Sequence, residues 1–282
     1  MLGSLLAGLS GFTQSVSDVI GKKLANENRW RVLATSTGIT AVIALIITAI
    51  IGIPEVPVVF WIIIVVATPL EILGAYAFLR AIQSGELSLT APLLNLTPAL
   101  VLLITWALAI EPLTTVGTVG VLLIVAGGFL LMSSSPLGAI KAVHQPSGQW
   151  ALLAAVVWSI TSTIGKQAVL RGGVVFTLAI LLSLVSVLCW IFYFSTRTKT
   201  SKQNKTSQGT KIILKGMTDA VMYGLQNTAY LFAPAAQVIA LKKTSTLWSL
   251  LWGKIVFKET FGIHRVLAAL VMFSGVLCIV FG

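Results

Sequence analysis

"ITAIIGIPEVPVVFWII", residues 47–63, holds two apolar runs joined by only six residues, Gly52 to Pro57. Helices that meet through so short a link lie antiparallel and side by side. The two runs extend over 32–52 and 57–79, and a hydrocarbon core of about 30 Å needs about 20 helical residues to cross it. Each run is therefore long enough to span a bilayer. Extended along the chain, the same reading gives ten spans: 2–21, 32–52, 57–79, 88–110, 114–134, 149–169, 173–195, 212–232, 235–257 and 262–282. "IEPLTT" at 110–115 is another tight link. Two segments read as true loops, "SSSPLGAIKAVHQPSG" at 133–148 and the polar, Lys-rich "STRTKTSKQNKTSQGTK" at 195–211.

Composition agrees with an all-α integral membrane protein. Of 282 residues 57% are hydrophobic and 10% charged, where a soluble domain has about a quarter charged. The formal charge of +11 belongs first to loops at the membrane surface, because basic residues set orientation. No nucleic-acid motif or stacking platform accompanies it. Cys189 and Cys278 both lie in apolar runs and read as small hydrophobes, outside any disulfide framework or metal spacing. The N-terminal stretch lacks a basic leader region and a small-residue cleavage site, so it reads as the first spanning helix. With only two histidines, His144 and His264, and no nucleophile–base or metal-ligand spacing, an enzyme, a cofactor and a metal site are not expected.

Acidic residues are rare enough to mark an internal repeat. Glu71 and Asp219 are 148 apart, as are Glu111 and Glu259, and so are Gly127 and Gly275. Each pair falls at one point of two five-helix halves, and Gly21-Lys22 aligns with Gly165-Lys166 at a slightly different shift. Five is odd, so the second copy enters the membrane upside down. Ten helices as two inverted five-helix repeats are the signature of a transporter with a midplane site. The odd-numbered links carry 14 Lys and Arg, including Lys22, Arg29, Arg80, Lys199 and Lys215, while the opposite face has Lys166 and Arg171. The positive-inside rule then places the odd links in the cytoplasm and both termini outside the cell membrane.

The stretches "AFLRAIQSGELSLTAPLLNLTPALVLLITWALAIEPLTTVGTVGVLLIVAGGFLLM" and "YLFAPAAQVIALKKTSTLWSLLWGKIVFKETFGIHRVLAALVMFSGVLCIVFG" carry a family resemblance. Each opens on a small-polar segment, passes a Glu at 111 or 259 and closes on a Gly-containing helix. In this the chain resembles the EamA-type transporters of the drug/metabolite transporter superfamily, with 1–134 and 149–282 as the two repeats. The resemblance implies solute transport by alternating access, with helices three, four, eight and nine around a central cavity. It leaves the cargo open among amino acids, drugs, nucleotide sugars and sugar phosphates. The Lys242-Lys243 pair is similar to the Lys-Arg pair at which plastid phosphate translocators bind phosphate, but Lys lacks the bidentate fork of Arg.

"IALKKTSTLW", residues 239–248, sets the candidate site. A charge at mid-bilayer costs at least about 2.5–3.5 kcal/mol, so two adjacent ammonium groups require a partner. Lys242, Thr246, Ser249 and Gly253 form one stripe of a continuous helix. The functional reading is an anion site; the structural one is an ion pair with Glu71 or Asp219. Those two carboxylates could instead carry protons, because burial disfavours a charged carboxylate, or recognise an amine directly. Asn95 is the repeat counterpart of Lys243 and suits a polar ligand or an interhelical hydrogen bond. Tyr76, Tyr223, Gln226 and Asn227 are candidates for cavity lining or for packing. Asp18, four residues before Lys22, reads as a local surface pair. Pro92 and Pro98 predict a kink in helix four without a match in helix nine. Glu111 and Glu259 read as helix-end anchors.

The function expected is a carrier of a small anionic metabolite held by Lys242 and Lys243. The alternatives are a proton-coupled exporter of amino acids or neutral metabolites through Glu71 or Asp219, a lipid-headgroup translocator, and a non-transporting scaffold.

Overall fold

A computed structural model describes residues 1–24, 27–84, 93–111, 114–132, 144–196, 205–245, 247–248, 251–252, 255 and 263–281. They form ten helices: α1 (Leu2–Lys23), α2 (Arg29–Ile51), α3 (Val58–Ser84), α4 (Thr97–Ala107), α5 (Thr115–Met132), α6 (Pro146–Gly172), α7 (Val174–Ser195), α8 (Lys205–Ala229), α9 (Ala235–Lys242) and α10 (Ile263–Phe281). No strand occurs among the described residues. Four helices, α2, α6, α7 and Val58–Phe78 of α3, are long and apolar enough to cross a membrane by length and composition. Their outer faces keep apolar side chains on show, with Ile50 78% and Val65 68% exposed, as a lipid-facing surface requires.

Local chemistry fixes the ends. Asn28 precedes α2 and its side chain accepts a hydrogen bond from the Arg31 N–H at 3.3 Å, satisfying a free donor of the first turn. A single residue, Gly173, separates α6 from α7, and its φ of 72° is one that a side chain would disfavour. Inside the bundle, hydroxyls return hydrogen bonds to backbone carbonyls and also tie helices together. Ser10 donates to the Met222 carbonyl at 3.1 Å, Thr40 to Gly216 at 3.2 Å and Ser186 to Ala34 at 2.8 Å. Where apolar burial drives little helix association, such bonds and close packing hold helices together.

The packing partners come in matched sets. α5 lies on α10, and α2 on α7; α3 packs on α6 as α1 packs on α8, and α1 meets α9 as α6 meets α4. Exchanging the first five helices for the last five maps each of these contacts onto another. Gly120 and Gly275 let α5 and α10 approach closely, since a Cβ at Gly275 would lie 2.6 Å from the Gly120 carbonyl oxygen.

Several expected spans differ from the helices found. α8 begins at Lys205, seven residues before 212, so the end of the Lys-rich loop is helical. α6 runs from Pro146 to Gly172, longer than 149–169. The largest differences are in helices four and nine, which are both interrupted. Asn95 and Leu96 form a turn before α4, and Lys243 and Thr244 form a turn after α9, with residues 245, 247–248, 251–252 and 255 helical beyond it. The two turns are 148 residues apart and share their hydrogen bonds: Leu96 N–H to Leu93 O at 3.2 Å matches Thr244 N–H to Leu241 O at 3.1 Å.

The causes differ between the copies. Pro98 has no N–H for the Leu94 carbonyl, and the Thr97 hydroxyl donates to that carbonyl at 2.8 Å instead. Helix nine has no proline there. It has "KKTST", and the Thr244 hydroxyl donates to Leu241 O at 2.6 Å, competing with the helical ladder. The expectation that only helix four would kink is thus corrected, as is the reading of 235–257 as one continuous helix.

Candidate functional site

Lys242 and Lys243 sit where α9 ends, both half-buried. Their ammonium groups are treated differently. Lys242 Nζ donates to Gln226 Oε1 at 2.5 Å and lies 5.6 Å from the centre of the Tyr223 ring, a cation–π contact. Gln226 in turn donates from Nε2 to the Tyr230 hydroxyl at 2.9 Å. Lys243 Nζ has no hydrogen-bond or ion-pair partner among the described residues. The turn separates the two side chains further than a continuous helix would, so Lys242 is anchored while Lys243 is not.

The carboxylates surround the pair without touching it. Asp219, in α8, is buried and taken up by its own helix and by α1: Lys215 Nζ lies 2.9 Å from Oδ2, and the Ser17 hydroxyl donates to Oδ1. Glu71, in α3, accepts from the Thr161 hydroxyl of α6 and lies within electrostatic reach of Lys242. Asp18, in α1, accepts from Gln14 Nε2 at 2.7 Å. It is accessible and lies within electrostatic reach of both Lys242 and Lys243. Among the described residues no salt bridge joins Lys242 or Lys243 to any carboxylate. The structural ion pair with Glu71 or Asp219 is therefore not formed in this conformation.

α1, α3, α6, α8 and α9 thus bring together Asp18, Glu71, Thr161, Lys215, Asp219, Tyr223, Gln226, Lys242 and Lys243. Sequence reasoning missed Asp18 and Lys215 as members, and also Thr161. Asn227 is buried beside the cluster and donates to the Tyr223 carbonyl at 2.9 Å, a bond within its own helix. Asn95 is 5% exposed and its Nδ2 has no partner among the described residues. It lies against Gly128 of α5, where a Cβ would come within 2.7 Å of Nδ2. Tyr76 belongs to a different group, with Trp30, Arg80 and Trp150. Thr246, with Ser249, Gly253 and Glu259, lies outside the described residues, as does the side chain of Lys22 that was expected to pair with Asp18.

Glu111 holds a helix end as expected. Its carboxylate lies 2.5 Å from Lys166 Nζ and accepts from the Ala235 N–H at 2.8 Å, at the start of α9. Lys166 also donates to the Ala233 carbonyl at 2.7 Å. One buried ion pair therefore joins the end of α4 to α6 and to the start of α9. Among the described residues no group of acidic, His and Cys side chains could hold a metal ion. Two cavities, of about 350 Å³ beside Gly52 and Gly173 and about 370 Å³ between Ala34 and Trp190, contain none of the cluster's residues.

Two interrupted helices at equivalent positions, with charged groups gathered at one of them, are an arrangement found at solute sites in transporters. The sequence model of the EamA-like transporter family matches residues 1–133 and again 147–281. The chain belongs to the EamA-like transporter family. It is a multi-pass membrane transporter and not an enzyme. No curated protein matches the chain significantly. The transporter is also similar to a solved crystal structure with a TM-score of 0.79 at 14% identity, over 99% of this chain and 97% of the other. At that identity the likeness speaks for the fold alone.

Proposed function

We propose that this transporter moves a small anionic metabolite by alternating access, with Lys242 and Lys243 at the substrate site. The observation that carries the reading is the half-buried Lys243 ammonium, which has no partner among the described residues beside a second, anchored ammonium. An unpaired charge out of water is costly, and an anion removes the cost. Lys242 would orient the same anion, and Asp18 competes for both lysines when cargo is absent. The matched packing of the two halves and the matched helix breaks support ten spans built as inverted copies, 1–134 and 149–282. The distribution of Lys and Arg supports cytoplasmic odd-numbered links and external termini.

The test is a thermal-shift screen of the purified transporter against a metabolite library, since a ligand of the native state raises its apparent stability. Anionic metabolites should dominate the stabilising compounds and lose their effect in Lys243→Ala. Hits confined to neutral or cationic compounds would refute the reading.

A second reading rests on Glu71. This carboxylate has a hydroxyl partner, Thr161, and no ion pair among the described residues. Such a group can take and release a proton, which supports proton-coupled export. Proton-driven uptake into proteoliposomes that survives Glu71→Gln would eliminate it.

A further inference from the structure

A second group of cations lies away from the lysine pair, at the ends of α2, α3 and α6. Trp30 stacks on Tyr76 with ring centres 5.9 Å apart and planes 16° from parallel, and Trp150 meets Tyr76 edge-on at 5.9 Å. Arg80 lies over the Tyr76 ring at 5.4 Å, and its Nε donates to the Tyr76 hydroxyl at 2.9 Å. The Tyr76 oxygen accepts that bond, so its own proton remains to be donated. Arg29, next to Trp30, comes close enough to Arg80 for the two positive charges to repel. Its Nη1 is buried and has no hydrogen-bond partner among the described residues. Glu27, in the same link, is engaged by Arg31 at 3.3 Å.

A buried guanidinium donor without an acceptor, facing a second guanidinium, lacks an anion. Guanidinium forks match the oxygens of a phosphoryl group in a way that lysines do not. Tyr and Trp side chains concentrate where helices reach the headgroup level, and basic pockets between helix ends bind lipid headgroups. We infer that Arg29 and Arg80, with the Tyr76 hydroxyl, form a phosphoryl-binding site at this end of the bundle, distinct from the Lys242–Lys243 site. The phosphoryl group belongs either to an anionic phospholipid or to a free phosphate.

The transporter is purified in a maltoside detergent and its thermal unfolding followed against two probes, inorganic phosphate and phosphatidylglycerol, with phosphatidylcholine as the reference lipid. At least one probe should stabilise it in a dose-dependent way. The midpoint concentration should rise roughly tenfold or more in Arg29→Gln, as for a lost charged hydrogen bond, and stay unchanged in Lys243→Ala. Stabilisation by phosphatidylglycerol alone assigns the site to lipid, and stabilisation by inorganic phosphate assigns it to a soluble anion. No effect of either probe overturns the inference. A midpoint unchanged in Arg29→Gln, or lost in Lys243→Ala, also overturns it. Should Arg29→Gln fail to fold, Arg29→Lys keeps the charge without the fork, and an unchanged midpoint there is equally fatal. The Lys243→Ala arm separates this site from the proposed cargo site.

Discussion

Lys242 and Lys243 are neighbours in sequence, yet their replacement should have opposite effects on stability. Lys242→Ala leaves the buried Gln226 Oε1 without its 2.5 Å donor, and an orphaned buried acceptor costs about 1–3 kcal/mol. Lys243→Ala removes a half-buried charge that has no partner among the described residues, so the protein should unfold at the same temperature or higher. Both variants should lose stabilisation by anionic cargo. Thermal unfolding with and without cargo separates these outcomes, and a marked loss of stability in Lys243→Ala would mean that a partner holds it. Glu111→Ala leaves Lys166 buried and unpaired, which should cost about 3–5 kcal/mol; part should return when Lys166→Met is added, as read by denaturant unfolding. The lysine pair was legible in the sequence because charge inside an apolar run has no bland explanation. Asp18 and Lys215 were not, because each had a local one: Asp18 stands four residues before Lys22, and Lys215 follows a basic loop. Only the packing of α1 on α8 turns them toward one another, across 197 residues of chain.

Among the elements, the apolar runs and their short links were readable because span length is set by bilayer thickness. Pro98 likewise announced the break before α4, since a missing N–H is written in the residue type. The break after Lys242 was hidden. Thr244 and Ser245 are compatible with a helix, and what stops α9 is how their hydroxyls and the surrounding helices share the backbone acceptors. α1 exploits that break. Gly11 passes so close that a Cβ there would lie 2.8 Å from the Lys242 carbonyl oxygen and 3.2 Å from that of Leu241. Gly11→Val should therefore push α1 off the turn, at a cost of about 1–3 kcal/mol, and weaken anion binding by displacing Lys242. Gly8, one turn earlier, has nothing within 4 Å of the same construction. Gly8→Ala is the control and should unfold within about 1 kcal/mol of the parent. Equal stability of Gly11→Val and Gly8→Ala would show that the approach of α1 to the broken helix carries no weight.

Across the whole molecule, the matched packing of the two halves and the placement of basic residues combine into a prediction about sidedness. Five helices, α3 to α7, separate the α2–α3 link from the end of α7. If all five cross the bilayer, Glu55 and Thr196 lie on opposite sides. Thr196 belongs to the basic face, and the other face has only Lys166 and Arg171. Lys166 is already neutralised by Glu111 at 2.5 Å, so the contrast between faces is sharper than the residue count alone. The positive-inside rule then puts Thr196 in the cytoplasm and Glu55 outside. Both residues are exposed, so each accepts a reporter cysteine once Cys189 and Cys278 have been replaced. An impermeant maleimide should label Glu55→Cys in intact cells, and Thr196→Cys only after the cells are permeabilised. The reverse pattern would keep the five crossings and invert the transporter, placing the termini in the cytoplasm and leaving its basic surface outside. Labelling of both positions from one side would break the alternation itself, and with it the inverted relation between the two halves.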